Sequence, residues 1–296
     1  RFSSIEADLK RYYLKNSDPS TLQPSEKKIY QELIGSIRAN KKFTQNNFVF
    51  FGLSQGFRPP SLYDLTSTDE TSAVEHPNTS LDSENFVQAE VGYKGSFHSW
   101  NWEASYYHTW IKDMIVRSPV EAGKSDVLKA NGDGYIQGLE IQVGYDWSIT
   151  WRSELSLSWM DSKVEQLLDH NAIGAIEING RNYSSVDYPT TRLMPAQAHL
   201  VTRYTPFDAP WWAEISILAA GKADKLSLKD ETDKSRIPAD GTPAYALIGL
   251  HSGMNIGKHS AIFLGIENLN DSDYRVHGSG LNGSGRNFIF SFNSSF

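Results

Sequence analysis

Hydrophobic and polar residues alternate along most of this chain with a period of two, most cleanly in the final ten residues, NFIFSFNSSF (287–296). Phe288, Phe290, Phe292 and Phe296 fall on one face, and Ile289, Ser291, Asn293 and Ser295 on the other. About ten residues tilted across a bilayer make one transmembrane β-strand, apolar toward lipid and polar toward a lumen. The same signal recurs upstream. Val87, Ala89, Val91 and Tyr93 alternate with Gln88, Glu90, Gly92 and Lys94. Trp102, Ala104, Tyr106 and Trp110 oppose Glu103, Ser105, Tyr107 and Thr109. Leu139, Ile141, Val143 and Tyr145 oppose Gly138, Glu140, Gln142 and Asp146, and Trp151, Leu155, Leu157 and Trp159 oppose Arg152, Glu154, Ser156 and Ser158. Further strands are expected near 2–14, 29–40, 47–53, 198–204, 211–217, 243–254 and 262–266, for about a dozen in all. The facing of 243–254 stays ambiguous.

The connections sharpen this picture. Those near 41–46, 95–100, 146–150, 205–210 and 255–258 are tight, whereas 15–28, 56–85, 113–134, 161–194, 221–241 and 269–286 are long. Short turns at one rim and long loops at the other is the pattern of an outer-membrane barrel. A Greek-key sandwich has no reason to produce it. Glu90, Glu103, Glu140, Glu154, Glu214 and Glu267 sit opposite the apolar face. They would meet solvent in a soluble sandwich and an aqueous lumen in a barrel, so alternation alone does not choose.

Composition is compatible with either setting. Of 296 residues, 39% are hydrophobic and 21% charged, and no run reaches the roughly 18 apolar residues of a membrane helix. A barrel shows lipid only alternate side chains, so low hydropathy does not exclude it. The 14 Tyr, 14 Phe and 8 Trp would supply interfacial girdles. A net charge of −7 argues against a nucleic-acid partner. The lack of cysteine removes disulfides, zinc-thiolate sites and thiol nucleophiles. The chain starts at Arg1 with alternation already under way, which reads as a fragment beginning in mid-strand.

Several segments, taken in order, resemble the C-terminal barrel half of TonB-dependent outer-membrane receptors. They are SQGFRPPSLYDL at 54–65, FVQAEVGYKG at 86–95, GYIQGLEIQVGY at 134–145, RIPADGTPAYALIGL at 236–250 and IENLNDSDYRVHGSGLNGSGRNFIFSF at 266–292. The resemblance implies an all-β, antiparallel up-and-down transmembrane β-barrel, with about twelve strands here out of about 22. It also implies that 1–296 is a partial barrel domain lacking the N-terminal plug and first strands. A bacterial outer-membrane location is expected, with uptake of a scarce ligand, a ferric siderophore or similar metal chelate, energised by TonB-ExbB-ExbD through the missing plug. Outer-membrane lipid and the barrel-assembly machinery are further expected partners. Phe288, Phe290, Phe292 and Phe296 would form the membrane-insertion signal. Competing readings are a passive porin-like or adhesin barrel, a soluble β-sandwich carbohydrate-binding module, and an all-β hydrolase.

No catalytic constellation stands out, and neither a cofactor nor a metal site is expected. The eight histidines show no HExxH spacing, and there is no Gly-x-Ser-x-Gly elbow. HGSGLNGSG (277–285) lacks the Lys and strand–helix context of a phosphate loop and reads as a flexible connection. Asp224, Asp230 and Asp233 have no calcium-loop spacing and read as a solvated loop face. For ligand binding, Arg58, Tyr63, Arg117, Tyr274, Arg275, His277 and Arg286 offer cations and aromatic faces suited to an anionic chelate. For Arg58 and Arg286, the structural alternative is pairing with lumenal carboxylates or loop carbonyls.

Overall fold

The computed structural model describes residues 1–13, 22–67, 75–119, 127–169, 176–178 and 181–295. The first strands are β1 (Phe2–Leu9), β2 (Tyr12–Tyr13), β3 (Leu22–Gln23), β4 (Glu26–Leu33), β5 (Ser36–Thr44) and β6 (Asn47–Arg58). After a short helix α1 (Leu62–Thr66) come β7 (Glu75–His76), β8 (Glu84–Phe97), β9 (Trp100–Pro119), β10 (Val127–Asp146) and β11 (Trp151–Asp169). Then follow β12 (Ile176–Ile178), β13 (Arg181–Tyr188), β14 (Gln197–Tyr204), β15 (Trp211–Ala220) and α2 (Leu228–Thr232). The chain closes with β16 (Tyr245–Ile256), β17 (Ser260–Glu267) and β18 (Asn287–Ser294).

One wall runs β5-β6-β8-β9-β10-β11-β14-β15-β16-β17-β18, each strand antiparallel to the next. Separately, β1 pairs with β4 and β2 with β3. Only Ile34 and Gly35 divide β4 from β5, and their backbones bond to Arg1 and Gln55 respectively. Counting β1 with β2, and β3 with β4 and β5, gives twelve passes, as the periodicity predicts. Tight turns at 45–46, 98–99, 147–150, 205–210 and 257–259 gather at one rim, and the long connections gather at the other.

Register turns the alternation into surfaces. Phe51 pairs with Val91, Val91 with Tyr106, Tyr106 with Leu139 and Leu139 with Trp159. The row resumes through Leu200–Ile217 and Ile217–Ile248, and ends on Leu264–Phe290. Val91, Tyr106, Leu139, Trp159, Leu200, Ile217, Leu264 and Phe290 are all exposed. No second layer covers this face among the described residues, which removes the soluble-sandwich reading. The facing left open for β16 is fixed by its partners: Ile248 and Leu250 share the apolar side with Ile217 and Ile215.

Aromatic residues mark the height of the band. Toward the tight-turn rim, Trp100, Tyr145 and Trp147 touch in sequence, as do Trp151, Tyr204 and Trp211. Toward the other rim, His108 contacts Trp110 and stacks on Tyr135. Trp100 and Trp110 lie on the same strand, and such a separation spans about 25 Å of bilayer at a tilt of about 40°. That matches an outward apolar band flanked by girdles.

The opposite face is ionic. Lys94 pairs with Glu103, Arg152 with Asp146 and Glu154, and Arg203 with Glu214 while lying over the Trp212 ring. These charges point away from the apolar band, as lumen-facing residues of a transmembrane barrel do.

The structure shortens two connections expected to be long loops. The β9–β10 hairpin continues to the Pro119–Val127 pair, and β11 runs to Asp169 with β13 folded back against it. In the first of these, alternation loses its phase because the β9–β10 register shifts between Gly132 and Gly134, with Asp113 at φ 58°. Gly132 suits the bend: a Cβ there would lie 2.1 Å from the Glu165 carbonyl oxygen.

Candidate functional site at the long-loop rim

β6 ends in Arg58, Pro59 and Pro60, and the prolines favour an extended backbone that stops the strand. Ser61 then caps α1. Its hydroxyl accepts the Asp64 N–H, while Asp64 accepts the Ser61 N–H and O–H in return. Leu65 is fully buried and packs with Ala7, Leu9 and Leu81, which anchors the helix to β1.

Around this helix the charges alternate in a chain. Arg58 faces Glu84 across the β6–β8 ladder and donates to it from Nε and Nη2, and Nη1 donates to Asp64 at 2.9 Å. Lys129 reaches Asp64 at 3.2 Å and Glu75 at 3.4 Å, and its ammonium sits 3.8 Å from the Tyr63 ring centroid. Arg117 pairs with Glu75 at 3.0 Å. The order is Glu84–Arg58–Asp64–Lys129–Glu75–Arg117, three carboxylates interleaved with three cations. Arg117 and Lys129 are direct cross-strand partners and would repel. Glu75, only 3% exposed at its side chain, lies between them because β7 pairs with the edge of β10 that β11 has left.

Burial alone would raise the Asp64 carboxyl. The Ser61 N–H and hydroxyl, then Arg58 and Lys129, outweigh it and bring the group from 3.8 down to about 2. The folded form therefore holds its proton less tightly than the unfolded chain. The resulting stabilisation, on the order of 2 kcal/mol, is complete above pH 3.8 and lost as pH falls through about 2. Hydrogen exchange across residues 61–67 between pH 2 and 5 checks this: protection should fall in that window and be flat there in Asp64→Asn.

A cavity of about 310 Å³ opens beside the chain, with Tyr63, Asp64, Glu75, Arg117, Lys129 and Thr191 among its walls.

The β17–β18 connection holds a second group. Arg286 donates from Nε to the Leu269 carbonyl at 2.9 Å, and its N–H to Asp271. Arg275 donates to Asn282, and Tyr274 packs against Tyr245. His277 is buried, with Nδ1 2.9 Å from the Thr242 hydroxyl and Nε2 unpartnered. Burial lowers its pKa first, and Arg192 adds to this against the opposing Asp230. Asp230 closes the second capping box, with Ser227, and accepts the Arg192 N–H.

Of the seven residues expected from sequence, the structure thus brings Arg58, Tyr63 and Arg117 together and keeps Tyr274, Arg275, His277 and Arg286 within a separate connection. Sequence reasoning missed Asp64, Glu75, Glu84 and Lys129. The Ser-x-x-Asp box at 61–64 was a readable signal for Asp64; Glu75, in a two-residue strand, gave none. Phe288, Phe290 and Phe292 stand exposed on the apolar face of β18, and Phe296 lies outside the described residues.

The family model for the TonB dependent receptor-like beta-barrel matches residues 10–269. No curated protein matches the chain. Among solved structures, the copper transporter OprC superposes with a TM-score of 0.76 at 17% identity, covering 100% of this chain and 44% of that one. The ferric-catecholate import receptor Fiu from E. coli K12 gives 0.65 at 16% identity, covering 99% and 41%. The siderophore receptor PirA from Pseudomonas aeruginosa gives 0.59 at 15%, covering 90% and 40%. The chain therefore spans less than half the length of these structures, and at such identities they speak for the fold.

Proposed function

Because the chain belongs to the TonB-dependent receptor family through its β-barrel, we propose that it forms part of the wall of a receptor that imports a scarce ligand, a ferric siderophore or similar metal chelate, across a bacterial outer membrane. The observation that carries this reading is the family match over residues 10–269. Two of the similar solved structures bear names of siderophore or ferric-catecholate receptors and one that of a copper transporter, which favours a metal-bearing cargo. In this reading residues 1–296 are part of a larger barrel of about 22 strands. A plug inside that barrel couples to TonB-ExbB-ExbD, the barrel-assembly machinery inserts the wall, and the long loops face outward.

Tyr63, with its ring largely exposed, and Tyr274 and Arg275 on the β17–β18 connection are the proposed chelate contacts. Arg58, Arg117, His277 and Arg286 are engaged by neighbouring carboxylates, a hydroxyl or a carbonyl, and hold the loops that present them.

The test is uptake of iron-55 chelates in cells deleted for the complete gene, grown under iron limitation. Uptake of at least one chelate should fall to background and return on complementation, and should need both TonB and the proton gradient. Unchanged uptake of every chelate, or uptake indifferent to TonB, would sink the proposal in favour of a passive barrel.

A further inference from the structure

We propose that His277 is a pH-sensitive pin at the long-loop rim: as a neutral ring it fastens three long connections together, and protonation releases them. The device needs no ligand and so goes beyond the transport reading. The connections are those between β13 and β14, between β15 and β16, and between β17 and β18. In the first, Arg192 gives its N–H to Asp230 of the second at 3.0 Å, and its guanidinium lies 3.9 Å from Asp233. Within the second, Ala223 and Thr242 exchange backbone hydrogen bonds at 2.9 and 3.0 Å. The third docks on both. His277 meets the Thr242 hydroxyl at 2.9 Å, and Gly278, at φ 76°, lies so close to Arg192 that a Cβ there would come within 2.9 Å of Cδ. Little apolar burial backs these contacts. Among the described residues, the buried hydrophobic side chains of the three connections are Leu193, Ala223 and Ile237, while Val276 and Leu281 are exposed. A unit held mainly by polar contacts is one that opens locally.

The ring is buried where a second proton has no place to go. His277 is 7% exposed, and its Nε2 has no hydrogen-bond partner. Whichever nitrogen carries the hydrogen of the neutral ring, the imidazolium carries one on each. Nδ1 then donates to Thr242, but the Nε2 hydrogen is left buried without an acceptor, which costs more for a charged donor than for a neutral one. Of the charges that act on the ring, Asp230 favours the cation and Arg192 opposes it. Asp230 is already committed to Ser227 and to the Arg192 N–H, Asp233 is taken by Arg236 at 3.1 Å, and Arg275 on the same connection is held by Asn282. Burial is the largest influence, and the outcome is a pKa below the usual 6.5. Opening the clasp returns the ring to water, where it takes a proton more readily. The clasp is therefore at full strength above pH 6.5 and weakens as pH falls below it.

The test is hydrogen exchange of the complete receptor in detergent at pH 7 and pH 5, corrected for the intrinsic rate. It is read at the amides of Ala223, Thr242, Ser279 and Gly283, whose bonds lie within the clasp. Protection there should fall about fivefold or more between the two conditions, while the ladder amides of β16 and β17 keep theirs. His277→Asn keeps a polar atom for Thr242 but does not titrate in this range, and His277→Gln does the same on a longer arm. Both should be equally protected at pH 7 and pH 5. Carbon-13 histidine NMR of the wild type follows the proton directly, the His277 signal being the one missing from the variants. That signal should titrate below pH 6.5. The idea is overturned if wild-type protection of the clasp is unchanged at pH 5, if the acid loss persists in both variants, or if His277 titrates at or above 6.5. None of these readouts involves a chelate, so they stand or fall separately from the transport reading.

Discussion

Ile217→Arg in the complete receptor is expected to lower folding stability by about 2–4 kcal/mol, whereas Ser216→Arg, one residue earlier, should cost far less. Ile217 is on the apolar face between Leu200 and Ile248, about 15 Å along the membrane normal from Trp211 in the girdle at the tight-turn rim. An arginine there places a guanidinium in hydrocarbon near the middle of the bilayer. Ser216 points the other way, into the wet interior, where Glu214 and Arg203 already sit. Urea titration of the receptor folded into vesicles, with the heat-dependent gel shift as the folded-state readout, gives both values. Equal losses at the two positions would mean that the two faces do not have the environments assigned to them.

The second large effect belongs to the ion chain. Glu75→Ala should cost about 3–5 kcal/mol locally, because it leaves Arg117 and Lys129 facing each other across the β9–β10 ladder without the carboxylate between them. The damage should be confined to the upper hairpin, seen as lost amide protection at residues 127–131. Adding Lys129→Met removes one of the stranded charges and should restore part of the loss. By contrast, Lys27→Ala at the solvent-exposed Lys27–Glu6 pair should leave exchange unchanged. A double variant no better protected than Glu75→Ala alone would refute the charge-balance account and point to packing instead.

What could be read from the sequence was whatever one strand carries by itself. Strands β8 to β11 announce their two faces because Val, Leu, Trp and Tyr alternate with Glu, Gln, Ser and Gly over ten or so residues, and the register then aligns those faces without exception along Val91, Tyr106, Leu139 and Trp159. Where one residue is inserted, as at Asp113 opposite the Gly132–Gly134 step, the phase slips and a continuing hairpin looks like a loop. The facing of β16 was unreadable alone, since Leu247, Ile248 and Leu250 occupy both sides, and only pairing with β15 decides it. The candidate site was legible in halves. Arg58, Tyr63 and Arg117 stand out as cations and an aromatic, but their carboxylate partners arrive from residues 26 and 42 positions away, at Glu84 and Glu75. Such encounters leave no local trace. The resemblance to a family supplied the fold that would bring them together, though not the pairs themselves.

Along the far side of β18, no strand pairs among the described residues, so alternate peptide groups from 287 to 294 lack ladder partners on that side. Each bare peptide in hydrocarbon costs several kcal/mol, and a few of them together exceed the roughly 5–15 kcal/mol that holds an ordinary domain folded. In the larger barrel proposed above, a strand from the rest of the receptor would therefore have to occupy this margin of β18 wherever it lies in hydrocarbon.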